Sequence, residues 1–255
     1  MREEDWYSVT NIPYAYGPGW LMFCCDWRDA PLLGMHIDAV IEDPPYGKRT
    51  HAGQRHGRRG KSSSTMLSEA GLRYDHLTPE DVTELVAGAH ELCRGWNLAM
   101  TSHDLIPAYE AAAAACKRYC FAPLPIVTPG ENVRLAGDGP SSWTVHLMVS
   151  RTNLKKCWST KQGAYIVTAE SHGGKGNKAV AGGKPLGLME AIVADYTERG
   201  DIILDRYAGG GTTGVAAIRN GRMFVGCERE PRHFEIAVGL LQSTREQLSM
   251  FQEKM

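Results

Sequence analysis

The chain has 255 residues, enough for one large α/β domain or a domain carrying an insert, and enough to bury a core without disulfides or structural metal. Its 43% hydrophobic and 22% charged residues are ordinary for a soluble globular protein, and no apolar run is long enough to span a bilayer. The N-terminal MREEDWYSVT lacks the basic, apolar, then small-residue order of a signal peptide, so a cytoplasmic location and no membrane partner are expected.

Apolar runs alternate with helical patterns, which predicts a mainly parallel sheet covered by helices. Trp20–Cys24 and Ile37–Ile41 read as strands. Pro79–Cys93 reads as a helix, with Thr78 as N-cap, Pro79 at the first helical position and Asp81 in the first turn. Asn97–Thr101 follows as a strand and Ile106–Lys117, with its alanine run, as a helix. Phe121–Val127 and Thr144–Val149 read as strands near a sheet edge, since prolines at 123 and 125 remove ladder donors from the first. An amphipathic helix is expected over Pro185–Glu198, then a strand Asp201–Asp205, a helix Thr213–Asn220, a strand Met223–Cys227 and a last helix opened by Pro231.

The seven cysteines are odd in number and contain no CxxC pair. Cys116 and Cys120 share a helix face by spacing, as do His90 and Cys93, but neither pair has a second half with zinc-site spacing. Buried free thiols are expected, and no metal site.

The formal net charge of −1 does not advertise a nucleic-acid binder, but its distribution does. Gly47 to Ser68 carries Lys48, Arg49, Arg55, Arg58, Arg59 and Lys61 without an acid. Arg151 to Lys184 holds seven basic residues, Lys155 and Lys156 among them, against the single acid Glu170. Charge alone leaves two readings open, a positive face for a polyanion or two solvated loops. The Gly-, Ser- and Lys-rich stretches 47–75 and 151–183 are long for loops inside a domain, as functional loops often are.

Two motifs carry chemistry. Ile41-Glu42-Asp43-Pro44-Pro45-Tyr46-Gly47 lies at the carboxyl end of a predicted strand. The prolines fix φ and have no N–H, so Pro44 and Pro45 make a rigid corner that presents the Pro44 carbonyl. Asp43 and that carbonyl offer two acceptors for the hydrogens of an amino group, and Tyr46 an aromatic face for a ring extruded from a nucleic-acid stack. The second motif, Asp205-Arg206-Tyr207-Ala208-Gly209-Gly210-Gly211-Thr212-Thr213-Gly214, joins a strand to a helix. Its glycines let a ligand approach the backbone at a helix N-terminus, and Glu228 ends the next strand, where an acid can take both ribose hydroxyls. Gly209, Gly211 and Gly214 also satisfy the dinucleotide fingerprint, although little chain follows for a second nucleotide-binding half. If the strands ending at Ile41 and Asp205 are central neighbours, the two motifs share one crevice at the carboxyl ends of the sheet.

With those motifs in this order, the chain from about Trp20 to Leu241 resembles the DNA amino-methyltransferases that modify adenine N6 or cytosine N4, in the permuted beta arrangement. The resemblance implies a Rossmann-like, S-adenosylmethionine-dependent methyltransferase fold: a mainly parallel seven-stranded sheet, helices on both faces, and one antiparallel hairpin near the edge. It implies one catalytic domain over 1–255, with 47–75 as a basic loop on the catalytic side and 151–183 as a short target-recognition insert. Asp43, Pro44, Pro45 and Tyr46 match the catalytic motif. Asp205, Tyr207, Gly209, Gly211, Thr212 and Thr213 match the cofactor loop, Glu228 the ribose-binding acid, and Asp26 an acid near the cofactor adenine, with Cys25 where glycine is usual. Lys184 matches a lysine before a helix lining the methionine end, although Lys184-Pro185 is equally a plain helix start. Arg206 stands where the family has proline. An initial aspartate favours adenine N6 over cytosine N4, the first alternative; an RNA methyltransferase and a catalytically inactive nucleic-acid-binding module are the more distant ones. DNA is the expected partner, with phosphate contacts from Lys48, Arg49, Arg55, Arg58, Arg59, Lys61, Lys155 and Lys156; monomer and homodimer stay open.

Overall fold

Runs of four to six buried residues build the centre of the sheet, as strands covered on both faces require. The computed structural model describes residues 11–48, 76–129, 142–152, 163–167 and 183–252. Its strands are β1 (Tyr14–Gly17), β2 (Trp20–Phe23), β3 (Ala39–Glu42), β4 (Trp96–Thr101), β5 (Arg118–Cys120), β6 (Leu124–Pro129), β7 (Ser142–Thr152), β8 (Tyr165–Ile166), β9 (Ile202–Asp205) and β10 (Met223–Cys227). The α-helices are α1 (Pro79–Leu92), α2 (Ile106–Ala115), α3 (Leu186–Tyr196), α4 (Thr212–Arg219) and α5 (Pro231–Gln252).

One sheet orders the strands β1-β2-β10-β9-β3-β4-β7-β6-β8, with β5 also beside β7. β2, β10, β9, β3 and β4 are parallel, and β7 enters antiparallel between β4 and β6. Those seven strands are the expected framework, including its hairpin. β9 and β3 are paired neighbours, in register Ala39 to Ile203 and Val40 to Leu204. The condition for a shared crevice is therefore met.

Alternation along the strands divides the core. Trp20, Met22, Ile41, Ile203 and Phe224 pack with α3, α4 and α5 on one face, while Leu21, Phe23, Val40, Leu204 and Val225 pack with the end of α1 on the other. α1 and α2 together cover Ala99 and Met148. The α1 start carries the expected cap in reciprocal form: the Asp81 N–H donates to Thr78 Oγ1 at 3.2 Å, and the Thr78 N–H to Asp81 Oδ2 at 2.8 Å.

The structure corrects several sequence expectations. Among the described residues the sheet has ten strands rather than seven, because β1, β5 and β8 add short pieces too brief for a periodic signal. α2 stops at Ala115 because Lys117 turns left-handed, φ 54°, and sends the chain into β5. β6 starts at Leu124, later than expected, and its outer edge is covered by β8 through Ile126–Tyr165 and Val127–Ile166. β3 begins at Ala39, and α3 at Leu186 with Pro185 as its N-cap.

Candidate active site

The parallel strands point the same way, so the residues following β2, β10, β9, β3 and β4 meet along one edge. β3 delivers Asp43-Pro44-Pro45-Tyr46 there. The Tyr46 hydroxyl donates to Asp43 Oδ1 at 2.9 Å, and the Lys184 ammonium pairs with Asp43 Oδ2. That ammonium also lies 5.2 Å from the Tyr46 ring centroid. Both side chains of the pair keep partial access to solvent, 25% for Asp43 and 19% for Lys184. The turn is pinned behind. The Gly47 N–H donates to Ser102 Oγ after β4 at 2.9 Å, and a side chain at Gly47 would collide with the Asp104 carboxylate. The Leu77 N–H donates to the Tyr46 carbonyl at 3.2 Å, so the basic stretch 47–75 leaves from the turn and the chain returns to it.

β9 delivers the glycine loop. Asp205 is buried and accepts from the Tyr207 N–H at 2.9 Å and the Thr213 hydroxyl at 2.6 Å. Burial pushes its carboxyl up to about 7; these two hydrogen bonds oppose the rise, while Glu42 and Asp43 add to it. The loop is tied to β10 and β2: the Ala208 N–H donates to the Cys227 carbonyl at 3.0 Å, the Gly209 N–H to Glu228 Oε2 at 2.8 Å, and the Glu228 N–H to the Phe23 carbonyl at 3.0 Å. The glycines differ in purpose. Gly209, φ +52°, leaves open space where a Cβ would stand, its nearest neighbour the Tyr207 carbonyl oxygen at 3.9 Å. Gly211 combines φ +83° with a close approach to Ala237 of α5, and a Cβ at Gly214 would lie 2.7 Å from Phe224 and Leu241. Gly211 thus serves both the turn and helix packing, and Gly214, inside α4, serves packing.

An interaction absent from the sequence expectations connects the motifs. Arg206 donates from Nε to Glu42 Oε2 at 2.8 Å and from Nη2 to Glu42 Oε1 at 2.7 Å, and both side chains are fully buried. Burial opposes the charge on Arg206, but the Glu42 carboxylate more than offsets it and holds the pKa above its usual value. The guanidinium stacks 4.5 Å from the Trp27 ring centroid, and the Trp27 indole N–H donates to the Tyr207 hydroxyl at 3.2 Å. Burial, then Glu42, pushes the Tyr207 phenol up to about 12. The signal was present in sequence: Glu42 ends an apolar strand buried on both faces, where a charge requires a partner.

Other expected residues sort as follows. Asp26 accepts from the Arg28 N–H and Nη1, each at 3.0 Å, and Arg28 reaches on to Glu84 of α1. Thr212 opens α4, with Gly211 as its N-cap. Lys184, matched by resemblance to the methionine end of a cofactor, has its ammonium on Asp43, so the fold places it at the Asp43–Tyr46 turn. Lys48 is exposed beside that turn. Arg49, Arg55, Arg58, Arg59, Lys61, Lys155 and Lys156 lie outside the described residues. Among the described residues, no group of three or more His, Cys, Asp or Glu is placed to hold a metal, and no helix is long and apolar enough to cross a membrane.

Comparison with known proteins identifies the fold. The fold is the Rossmann-like fold of S-adenosylmethionine-dependent DNA methyltransferases. The crystal structure of an M1.HpyAVI–SAM complex matches 81% of this chain and 89% of its own at TM-score 0.59 and 20% identity. The PvuII DNA methyltransferase, described as cytosine-N4-specific, matches 88% of this chain and 86% of its own at TM-score 0.59 and 15% identity. Residues 141–239 match a family model described as DNA methylase, a segment that contains the glycine loop and not the Asp43–Tyr46 turn. The Type II methyltransferase M2.DpnII of Streptococcus pneumoniae is 44% identical over 63 residues, 25% of this chain and 24% of that protein. The chain thus matches about a quarter of that curated relative's length. The chain is thus similar to DNA methylases over residues 141–239 and shares the fold of DNA methyltransferases over most of its length.

Proposed function

We propose that the protein transfers a methyl group from S-adenosylmethionine to the N6 amino group of adenine in DNA. The observation that carries this reading is the β3–β9 pairing, which sets an acceptor-bearing turn beside a glycine loop on one edge of the sheet. The residues present fit the cofactor. Gly209 leaves a cradle that a Cβ would fill, and each Glu228 oxygen accepts one backbone N–H, from Gly209 and from Glu230, keeping further lone pairs for ribose hydroxyls. When bound, S-adenosylmethionine supplies an electrophilic methyl group on a sulfonium centre.

This chain's own residues do the rest by position and charge. An exocyclic amino nitrogen is a poor nucleophile because its lone pair is delocalised into the ring. The Asp43 carboxylate and the Pro44 carbonyl accept its two hydrogens, which favours a pyramidal nitrogen and stabilises the positive charge that develops there. Tyr46 stacks on the extruded base, and its hydroxyl orients Asp43. Lys184 occupies one Asp43 oxygen, so base capture exchanges the ammonium for the amino group. The phosphate contacts fall to the basic stretch that leaves the turn at Gly47.

Transfer of labelled methyl from S-adenosylmethionine to unmethylated DNA, with nucleosides identified by mass spectrometry, tests the proposal. Label in N6-methyladenine is expected. Label in N4-methylcytosine would keep the mechanism and replace the base, and a folded protein that binds the cofactor yet labels no DNA would overturn the function.

A further inference from the structure

Glu42 and Arg206 stand one residue before Asp43 and one residue before Tyr207, so their ion pair spans the two halves of the site at the shortest covalent distance from each. Continuing the β3–β9 register from Ala39–Ile203 and Val40–Leu204 brings Glu42 alongside Arg206, so the pairing of the two strands itself selects these partners. We propose that the Glu42–Arg206 pair is a positioning link that fixes the glycine loop against the catalytic turn, so that cofactor binding and the geometry of Asp43 and Tyr46 are coupled; this rests on the methyl-transfer function above.

The argument is geometric. A two-bond guanidinium–carboxylate contact fixes orientation as well as distance, which a single bond or an apolar contact does not. Here both bonds are short, and the pair is sealed from solvent that would otherwise screen it. The third nitrogen, Nη1, is buried and has no hydrogen-bond partner among the described residues; the guanidinium plane is held instead by the Trp27 ring, itself hydrogen-bonded to Tyr207. Gly88 of α1 makes the room, since a Cβ there would stand 2.7 Å from Trp27 and 3.1 Å from Nη1. The arrangement therefore gives up one hydrogen bond to keep the fork aligned with Glu42. Stability alone does not account for it, because a well-packed apolar pair serves a buried site as well or better. Direction does: in-line transfer requires atoms carried by two separate loops to be held in one relative position.

The test separates position from stability. Glu42→Met/Arg206→Met replaces both charges with apolar groups, avoiding the lone buried charge that either single change would leave. In that variant we expect S-adenosylmethionine affinity within about 3-fold of wild type and kcat lowered on the order of 10²-fold at saturating substrates. Hydrogen exchange gives a readout independent of activity. S-adenosylmethionine should slow amide exchange over residues 41–47 in the wild type, and the double variant should lose that response while still binding. Arg206→Lys, which keeps the charge but not the fork, should fall between the two, and it carries the same comparison if the double variant does not fold. Wild-type turnover and an intact exchange response in a folded variant would overturn the link. So would a turnover loss matched by an equal loss of cofactor affinity, which would mark the pair as part of the loop's own fold. Wild-type protein that binds no S-adenosylmethionine would instead sink the methyl-transfer function, and the coupling with it.

Discussion

Asp43 and Asp205 follow or end neighbouring parallel strands on the same edge of the sheet, yet they live in opposite circumstances. Asp43 keeps a quarter of its side chain accessible, and its partners are a lysine ammonium and a tyrosine hydroxyl. Asp205 is buried and held by a backbone N–H and a threonine hydroxyl, with no cation among these contacts. The difference separates two uses of one residue type. A partly open carboxyl group can exchange a partner for a ligand group, whereas one enclosed by a backbone N–H and a hydroxyl shapes the glycine loop.

The largest expected effect follows from the enclosure. The folded protein holds the Asp205 proton up to about pH 7, while the unfolded chain releases it near 3.8. The native state therefore binds more protons between those values. Stability from this group is fully present below the lower value and is lost as pH rises through the upper one. The slope is at most about 1.4 kcal/mol per pH unit, or about 4 kcal/mol over the window. Denaturant unfolding from pH 4 to 8 should show a decline in the wild type that is flatter in Asp205→Asn; parallel curves would mean that Asp205 is already charged in the fold.

Next in size is Asp205→Ala, which leaves the Tyr207 N–H and the Thr213 hydroxyl without their acceptor and should cost about 1–3 kcal/mol for each group left unsatisfied. Equal stability of this variant and wild type would break the comparison from the buried side. The smallest change is expected for Lys184→Met. That ion pair is partly solvated, so its loss should move stability by less than about 1 kcal/mol while freeing an Asp43 oxygen. A larger loss would place Asp43 among the structural acids as well.

The sequence made the central architecture legible where strands are apolar and punctuated. β10 falls on the residues expected, α1 begins at its Thr78–Pro79 signal, and Asp43 and the glycine loop meet because parallel strands share an edge. What was not legible depends on contacts far apart in the chain. Arg206 looked like a departure from the family pattern, and its reason, Glu42, lies 164 positions away. Lys184 resembled a cofactor residue from its place before α3, and only the folded arrangement brings its ammonium to Asp43. β5 and β8, at three and two residues, carry too few side chains for alternation to register. β1, at four residues, is likewise too short for its alternation to stand out ahead of β2.

The most direct measurement of the central claim is a parallel determination of methyl-transfer rate and S-adenosylmethionine affinity for wild type and Asp43→Ala. Loss of an acceptor that acts on developing charge predicts a rate lower by about 10²–10³-fold, with cofactor affinity and fold retained. A variant that methylates DNA at the wild-type rate would contradict the account, because the carboxylate at the end of β3 would then take no part in the chemistry.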